Sequence, residues 1–286
     1  MLSQHVKLIL IMALTFTILM LTVGCGNSNT KSQGQDNNNL GQELKLSGSI
    51  QIAGSTSVQP LSEELAMEFM SKYPDVKINV AGGGSGAGIK AAQDGTADIG
   101  ASSRELKPEE KSVKEIVIAK DGIAVVVNPA NPVNNLTMEQ IKSVFSGEVT
   151  NWKDLGESDA PITVVIREDG SGTRGAFEEI VLGKDVKFTD KAIIQNTTGA
   201  LRTTVAGTPD AIGFISLGAL NDKVKALKVN GVHISKENVL NNSYKVARPF
   251  IYMTKEEPTG LIKLFIDFVL SAEGQKIVER DFIPVK

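Results

Sequence analysis

Cysteine is almost absent from this chain: 286 residues contain one Cys and two His. One Cys closes no intramolecular disulfide, and a chain of this length needs none to build a core. With Cys and His so scarce, no His/Cys cluster has the spacing of a transition-metal site. Charge of one sign is lacking too. Thirty basic residues face 33 acidic ones, a net charge of −3, so nothing chain-wide attracts nucleic acid. A P-loop is also missing: Gly183-Lys184 is followed by Asp185, not by Ser or Thr, so the chain is not its own ATPase.

What is present begins with the placement of that one Cys. Lys7 supplies a positive start, and Leu8 to Leu21 is apolar but short for a membrane span. Leu21-Thr22-Val23-Gly24-Cys25 then resembles a bacterial lipobox, whose cleavage leaves the Cys at the new terminus bearing the lipid. Residues 1–24 are therefore expected to be a signal peptide and Cys25 a lipidated (palmitate-bearing) anchor, giving an extracytoplasmic protein held at the cell membrane. Loss of Lys7 and His5 would take the net charge to −4 and leave His233 as the only His. Residues 25–47, rich in Asn, Gln, Ser and Gly, read as a flexible tether.

Beyond the tether, short apolar runs alternate with helical patterns. Ser49 to Ala53, Val76 to Val80, Ala97 to Ala101, Gly122 to Val127, Ile162 to Ile166, Ala211 to Ile215 and Phe250 to Met253 read as strands. Pro60 to Tyr73, Gly88 to Gln93, Thr137 to Phe145, Arg174 to Leu182, Ala200 to Ala206 and Thr259 to Glu279 read as helices, the last broken near Leu270-Ser271. This rhythm predicts an α/β fold with mostly parallel strands in two lobes. Lobe 1 is expected to span 48–127 plus 249–286 and lobe 2 to span 128–248, with crossings near Ile123 to Val127 and Arg248-Pro249.

Four loops share one design of strand, small residues, then helix or turn: Gly54-Ser55-Thr56-Ser57, Gly82 to Gly88, Gly100-Ala101-Ser102-Ser103-Arg104, and Asp169-Gly170-Ser171-Gly172-Thr173. Any one of them could be a capped turn. Together they would meet beyond the carboxyl ends of strands, where α/β folds bind ligands. Backbone N–H groups and hydroxyls at helix starts favour an anion. Arg167, at the end of its strand, adds a forked cation, so the set asks for a small oxyanion.

Competing motifs fit less well. Gly82-x-Gly84-x-x-Ala87 matches a dinucleotide fingerprint only loosely and follows the second strand, not the first. A nucleophile elbow at Ser85 would want Gly at position 87, which is Ala, and its base could only be His233, in what reads as a surface hairpin. Trp152 reads as a packed turn residue, Lys107 to Lys114 as a charged surface segment, and Arg174 and Arg202 as cleft-rim cations that pair with carboxylates or meet the anion.

The motifs Ala53-Gly54-Ser55-Thr56-Ser57, Gly84-Ser85-Gly86, Asp98-Ile99-Gly100-Ala101-Ser102-Ser103, Asn151-Trp152, Arg167-x-Asp169-Gly170-Ser171-Gly172-Thr173 and Ala211-Ile212-Gly213-Phe214 resemble those of the PstS family, the phosphate-binding lipoproteins of bacterial phosphate ABC transporters. The resemblance runs from Ser49 to Lys286. It implies a two-lobed periplasmic-binding-protein type II architecture with a hinge and an interlobe cleft. It implies a monomer that binds inorganic phosphate, passes it to permease subunits, uses no cofactor and catalyses nothing. Residue by residue, Thr56, Ser57, Ser85 and Ser103 would contact phosphate from lobe 1, and Arg167, Ser171, Gly172 and Thr173 from lobe 2, with Asp169 orienting the Arg167 guanidinium. Ser103 stands where better-known members carry an Asp that accepts the proton of hydrogen phosphate. A Ser hydroxyl can accept or donate, so it can also serve sulfate. A receptor for another tetrahedral oxyanion, such as sulfate or molybdate, is therefore one alternative. A secreted serine hydrolase or phosphatase using Ser85 or Ser171 is another, and a surface adhesin or sensor a third.

Overall fold

Ile50 and Ile52 are buried while the alternate residues Ser49 and Gln51 are exposed, so the strand β1 (Gly48–Gly54) presents one face to a core. In the computed structural model the described residues are 46–285; the expected signal peptide, Cys25 and all but the last two tether residues lie outside them. β2 (Val76–Gly82) and β3 (Ile99–Ser102) pair with β1 in parallel, joined through helices α1 (Gln59–Lys72) and α2 (Ser85–Asp94). The chain continues through β4 (Lys114–Val127), β5 (Asn135–Leu136), α3 (Met138–Ser146), β6 (Thr163–Arg167), α4 (Gly172–Phe177), β7 (Ile193–Gln195), α5 (Thr198–Gly207), β8 (Ala211–Ser216), β9 (Lys225–Ala226), β10 (Lys228–Val229), α6 (Lys236–Leu240), β11 (Ala247–Thr254), α7 (Gly260–Leu270) and α8 (Ala272–Asp281).

The main sheet has the order β2-β1-β3-β11-β4-β8-β6-β7, with β9 added beside β4. The expected parallel pairing holds within each flank, β2-β1-β3 and β8-β6-β7. It fails in the middle, where β11 runs antiparallel to β3 and β4, and β4 antiparallel to β8. These two middle strands carry the chain across and back, so they cannot share the direction of both flanks. β4 is also far longer than the run from Gly122 to Val127. Its first half sets the apolar run Ile116 to Ala119 between charged pairs, Lys114-Glu115 and Lys120-Asp121, which disguises one continuous strand in the sequence.

Two hydrophobic cores flank this middle. One joins β1, α1, α7 and α8 and takes Ile118 and Ala119 from β4 and Phe250 from β11. The other joins β6, β8, α3 and α4 and takes Ile123, Val125 and Val127 from the same β4. Between them lies Asp121, opposite Arg248 in register and fully buried. Arg248 Nε and Nη2 donate to Asp121 Oδ2 at 3.1 and 2.9 Å, and Ser216 Oγ and the Leu217 N–H donate to its Oδ1. In the second core Phe177 stacks on Phe214 with ring centres 4.2 Å apart, which fixes α4 and the loop before it. That helix is shorter than the expected Arg174 to Leu182: after Phe177 the chain widens into a π turn over Glu178–Leu182.

Candidate functional site

The pairing registers bring strand ends level. Gly54 closes β1 opposite Gly82 of β2 and Ala101 of β3, and Arg167 closes β6 opposite Gln195 of β7. The segments 55–57, 83–85 and 103–104 therefore leave one flank of the sheet together, and 168–171 and 196–198 leave the other.

These segments meet. The Gly86 N–H donates to the Gly170 carbonyl at 3.0 Å. Gly172 packs so closely that a Cβ there would lie 2.2 Å from Ser85 Oγ and 2.7 Å from Ser103 Oγ, so no larger residue fits this approach. Two hydroxyl clusters form where the flanks touch. Ser57 Oγ bonds Thr173 Oγ1 and Thr198 Oγ1, each at 2.9 Å. Ser55 Oγ donates to Ser103 Oγ at 2.8 Å, and Ser85 Oγ accepts the Ser103 N–H at 3.0 Å. Ser55, Ser57, Ser85, Ser103, Ser171, Thr173 and Thr198 are all buried, and Thr56 is half-buried. Seven of the eight expected contact residues lie in or against these clusters. Ser171 caps α4 instead, its Oγ accepting the Arg174 N–H at 3.2 Å.

Arg167 sits beside the first cluster, 2% exposed. Its Nη1 donates to Thr198 Oγ1 at 3.1 Å, and its Nη2 donates to the Asn196 carbonyl. Glu168 grips the far edge of the guanidinium, with Nε and Nη2 each donating to a carboxylate oxygen at 2.9 Å. Nη1 carries two hydrogens, and only one is committed to a protein acceptor among the described residues. The expectation that Asp169 orients this guanidinium is corrected here. The Glu168 N–H still donates to Gln195, extending the strand by one residue, and the turn that closes with Ser171 N–H on the Glu168 carbonyl swings Asp169 outward. Its carboxylate is 91% exposed and pairs with Arg174 at 2.7 Å.

Glu168, Ser55 and Thr198 were not singled out from the sequence as site residues. Thr198 had a signal, because Asn196-Thr197-Thr198-Gly199-Ala200 is a fifth small-residue loop entering a helix, with Thr197 Oγ1 capping the Ala200 N–H at 3.0 Å. The strand before it is three residues long and largely exposed, and its apolar run, Ala192-Ile193-Ile194, is shorter than those of the other flank strands.

Two cavities flank the closed loops. One of about 380 Å³ opens beside Ser171, between Arg104 and Arg174. The other, about 290 Å³, is lined by Thr56, Ser57, Thr198, Arg202, Gly218 and Phe282 among others. No hydroxyl of either cluster has a carboxylate among its hydrogen-bond partners in the described residues. His233 is exposed and is not among the hydrogen-bond partners of Ser85, and no group of three or more His, Cys, Asp or Glu able to hold a metal occurs among the described residues.

Residues 29–273 match the family model described as a PBP superfamily domain. The chain is 36% identical to the phosphate-binding protein PstS of Bacillus subtilis over 250 residues, covering 85% of this chain and 83% of that protein. The chain belongs to the PstS family of phosphate-binding proteins. Its fold is the mixed α/β, two-lobed periplasmic-binding-protein type II architecture. Among solved structures, a phosphate ABC transporter substrate-binding protein with bound phosphate from Clostridium perfringens is 51% identical, with a TM-score of 0.82 over 84% of this chain and all of that one. An ABC-type phosphate transport receptor from Vibrio cholerae is 36% identical, with a TM-score of 0.69 over 82% of this chain and 99% of that one.

Proposed function

We propose that this chain captures inorganic phosphate outside the cytoplasm and delivers it to the permease of a phosphate ABC transporter. The observation that carries the reading is a buried guanidinium, Arg167, with an uncommitted Nη1 hydrogen facing hydroxyls contributed by both flanks of the sheet. A tetrahedral oxyanion offers acceptors in several directions, and such a cage of hydroxyls, N–H groups and one guanidinium matches it. Thr56, Ser57, Ser85 and Ser103 contact the anion from lobe 1, and Arg167, Gly172, Thr173 and Ser171 from lobe 2. Glu168 holds the guanidinium in place. The lobes are taken as 48–127 with 249–286, and 128–248, with β4 common to both. Closure of the two lobes expels water from the site, and reopening at the permease releases the cargo. The protein acts as a monomer, tethered through lipid on Cys25, and catalyses no reaction.

A second reading, a receptor for several tetrahedral oxyanions, is favoured by one observation: Ser103 provides a hydroxyl where a carboxylate would reject unprotonated ligands. Calorimetric titration separates the two. Phosphate is expected to bind, and its failure to do so overturns the reading. Sulfate competing on equal terms would establish the broader receptor. Ser103→Asp is expected to weaken sulfate relative to phosphate by at least about tenfold, because a site that must pair a ligand O–H penalises an analogue lacking one.

A further inference from the structure

The two cavities beside the site differ in charge and in access. In the larger one the charged side chains balance, four basic against four acidic. Arg174 there is tied to Asp169 at 2.7 Å, and Arg104 to Glu110 at 2.7 Å. Between that cavity and the hydroxyl clusters, the Gly86 to Gly170 hydrogen bond and the contact of Gly172 with Ser85 and Ser103 pack the backbone shut. The smaller cavity is lined directly by Thr56, Ser57 and Thr198, and its one charged lining residue is Arg202. Arg202 stands one helical turn after Thr198 on α5, so the two side chains share a face. Its Nη1 donates to the Ala219 carbonyl at 2.7 Å, while Nε and Nη2 have no hydrogen-bond partner among the described residues. The Leu217 N–H that leads into this 217–219 turn is itself held by the buried Asp121. The cation is thus fixed to the turn that Asp121 holds and lines the same cavity as Thr56, Ser57 and Thr198.

We propose that phosphate enters and leaves through the mouth at Arg202, and that Arg202 captures it there and passes it inward to Thr198 and Arg167. This rests on the phosphate reading above. The chain as a whole carries −3, so a phosphate dianion is repelled at long range, and a local cation beside a low-dielectric opening decides where it approaches. The balanced cavity offers it no such focus. Arg202 is a capture residue in this scheme, and Arg167 holds the bound anion.

The test combines calorimetric Kd for inorganic phosphate with the dissociation rate from chase of radiolabelled phosphate, giving the association rate as their ratio. Wild type, Arg202→Ala, Arg202→Lys and Arg174→Ala are compared at low and at high salt. Arg202→Ala is expected to slow association about fivefold or more at low salt, with dissociation unchanged or slower, and the difference should collapse in high salt. Arg202→Lys should keep most of the rate, and Arg174→Ala should leave it unchanged. Association within twofold of wild type for Arg202→Ala at low salt overturns the proposal. So does faster dissociation at an unchanged association rate, which would make Arg202 a contact of the bound anion instead. If wild type takes up no phosphate, the functional reading fails and not this route.

Discussion

Two arginines of this molecule are buried to nearly the same degree and donate the same two nitrogens to a carboxylate, yet they are built for different ends. Arg167 at the end of β6 is 2% exposed and Arg248, in the middle of the sheet, 4%. Each donates Nε and Nη2 to a carboxylate at about 3 Å. The difference lies in the partner and in the third nitrogen. Glu168 keeps 26% of its side chain exposed, and Arg167 Nη1 donates to Thr198 Oγ1, which in turn bonds Ser57 Oγ from the other flank of the sheet. Asp121 is completely buried, and Arg248 Nη1 has no hydrogen-bond partner among the described residues. Burial pushes the Asp121 carboxyl up and the Arg248 guanidinium down, each against the pull of its partner, and the charge of Arg167 presses the Arg248 value further down. A buried cation with a partly exposed counter-ion and a free edge can take up an anion. One sealed against a buried counter-ion between two cores can only hold strands together.

The contrast predicts opposite phenotypes. Asp121→Ala leaves Arg248 as an uncompensated buried charge and removes the acceptor for Ser216 and Leu217. It is expected to cost about 3–5 kcal/mol of stability, read as a fall in the denaturant midpoint at unchanged slope. Replacing both members, Asp121→Leu with Arg248→Met, should recover most of that loss, since apolar pairs of similar volume often match a buried ion pair. A loss below about 1 kcal/mol for Asp121→Ala would show that the Asp121–Arg248 pair is hydrated and that the comparison is wrong.

Arg167→Ala should do the reverse. The Glu168 carboxylate it abandons can rehydrate, so the unfolding midpoint is expected to move little. Phosphate affinity should fall by at least an order of magnitude, because a charge-assisted donor in a dry site is lost. Calorimetry and a denaturant curve on the same preparation check both halves. Retained affinity would move the anion away from this guanidinium.

The sequence makes the site loops easier to read than the buried Asp121–Arg248 pair. Gly54 to Ser57, Ser85, Ser103 and Arg167 to Thr173 announce themselves because small residues cluster after apolar β-branched runs, and local chain chemistry decides what such loops can do. Asp121 and Arg248 meet only through a pairing of strands 127 residues apart, and nothing local marks either as half of a pair. The same limit explains Asp169. Residues 168 and 169 are both acidic, and which one faces back to Arg167 depends on the strand running one residue further than its apolar pattern suggests. Thr198 is hard to read because its strand, Ile193–Gln195, has only Ile193 and Ile194 as an apolar signature, shorter than the other strand runs.

A third guanidinium–carboxylate fork extends the comparison to a less buried guanidinium. Arg104 donates Nη1 and Nη2 to Glu110 at 2.7 and 2.8 Å at the rim of the larger cavity, with the two side chains 13% and 18% exposed. The hydrogen bonds from Arg104, with help from the Lys107 N–H, hold the Glu110 carboxyl below its ordinary value of 4.5 against the opposing effect of partial burial. A carboxyl whose pKa is lower in the folded chain stabilises it fully above its unfolded value, and that contribution is lost as pH falls through the folded value. Glu110→Gln should therefore destabilise the protein by about 0.5–1 kcal/mol at neutral pH. The gap between wild type and variant should narrow as acid is added below pH 4.5, toward zero once Glu110 is protonated in both states. Denaturant midpoints of the two proteins across that range give the measurement. A gap that persists unchanged in acid would mean that shape, and not charge, holds this fork, and it would then fall outside the comparison with the two buried arginines.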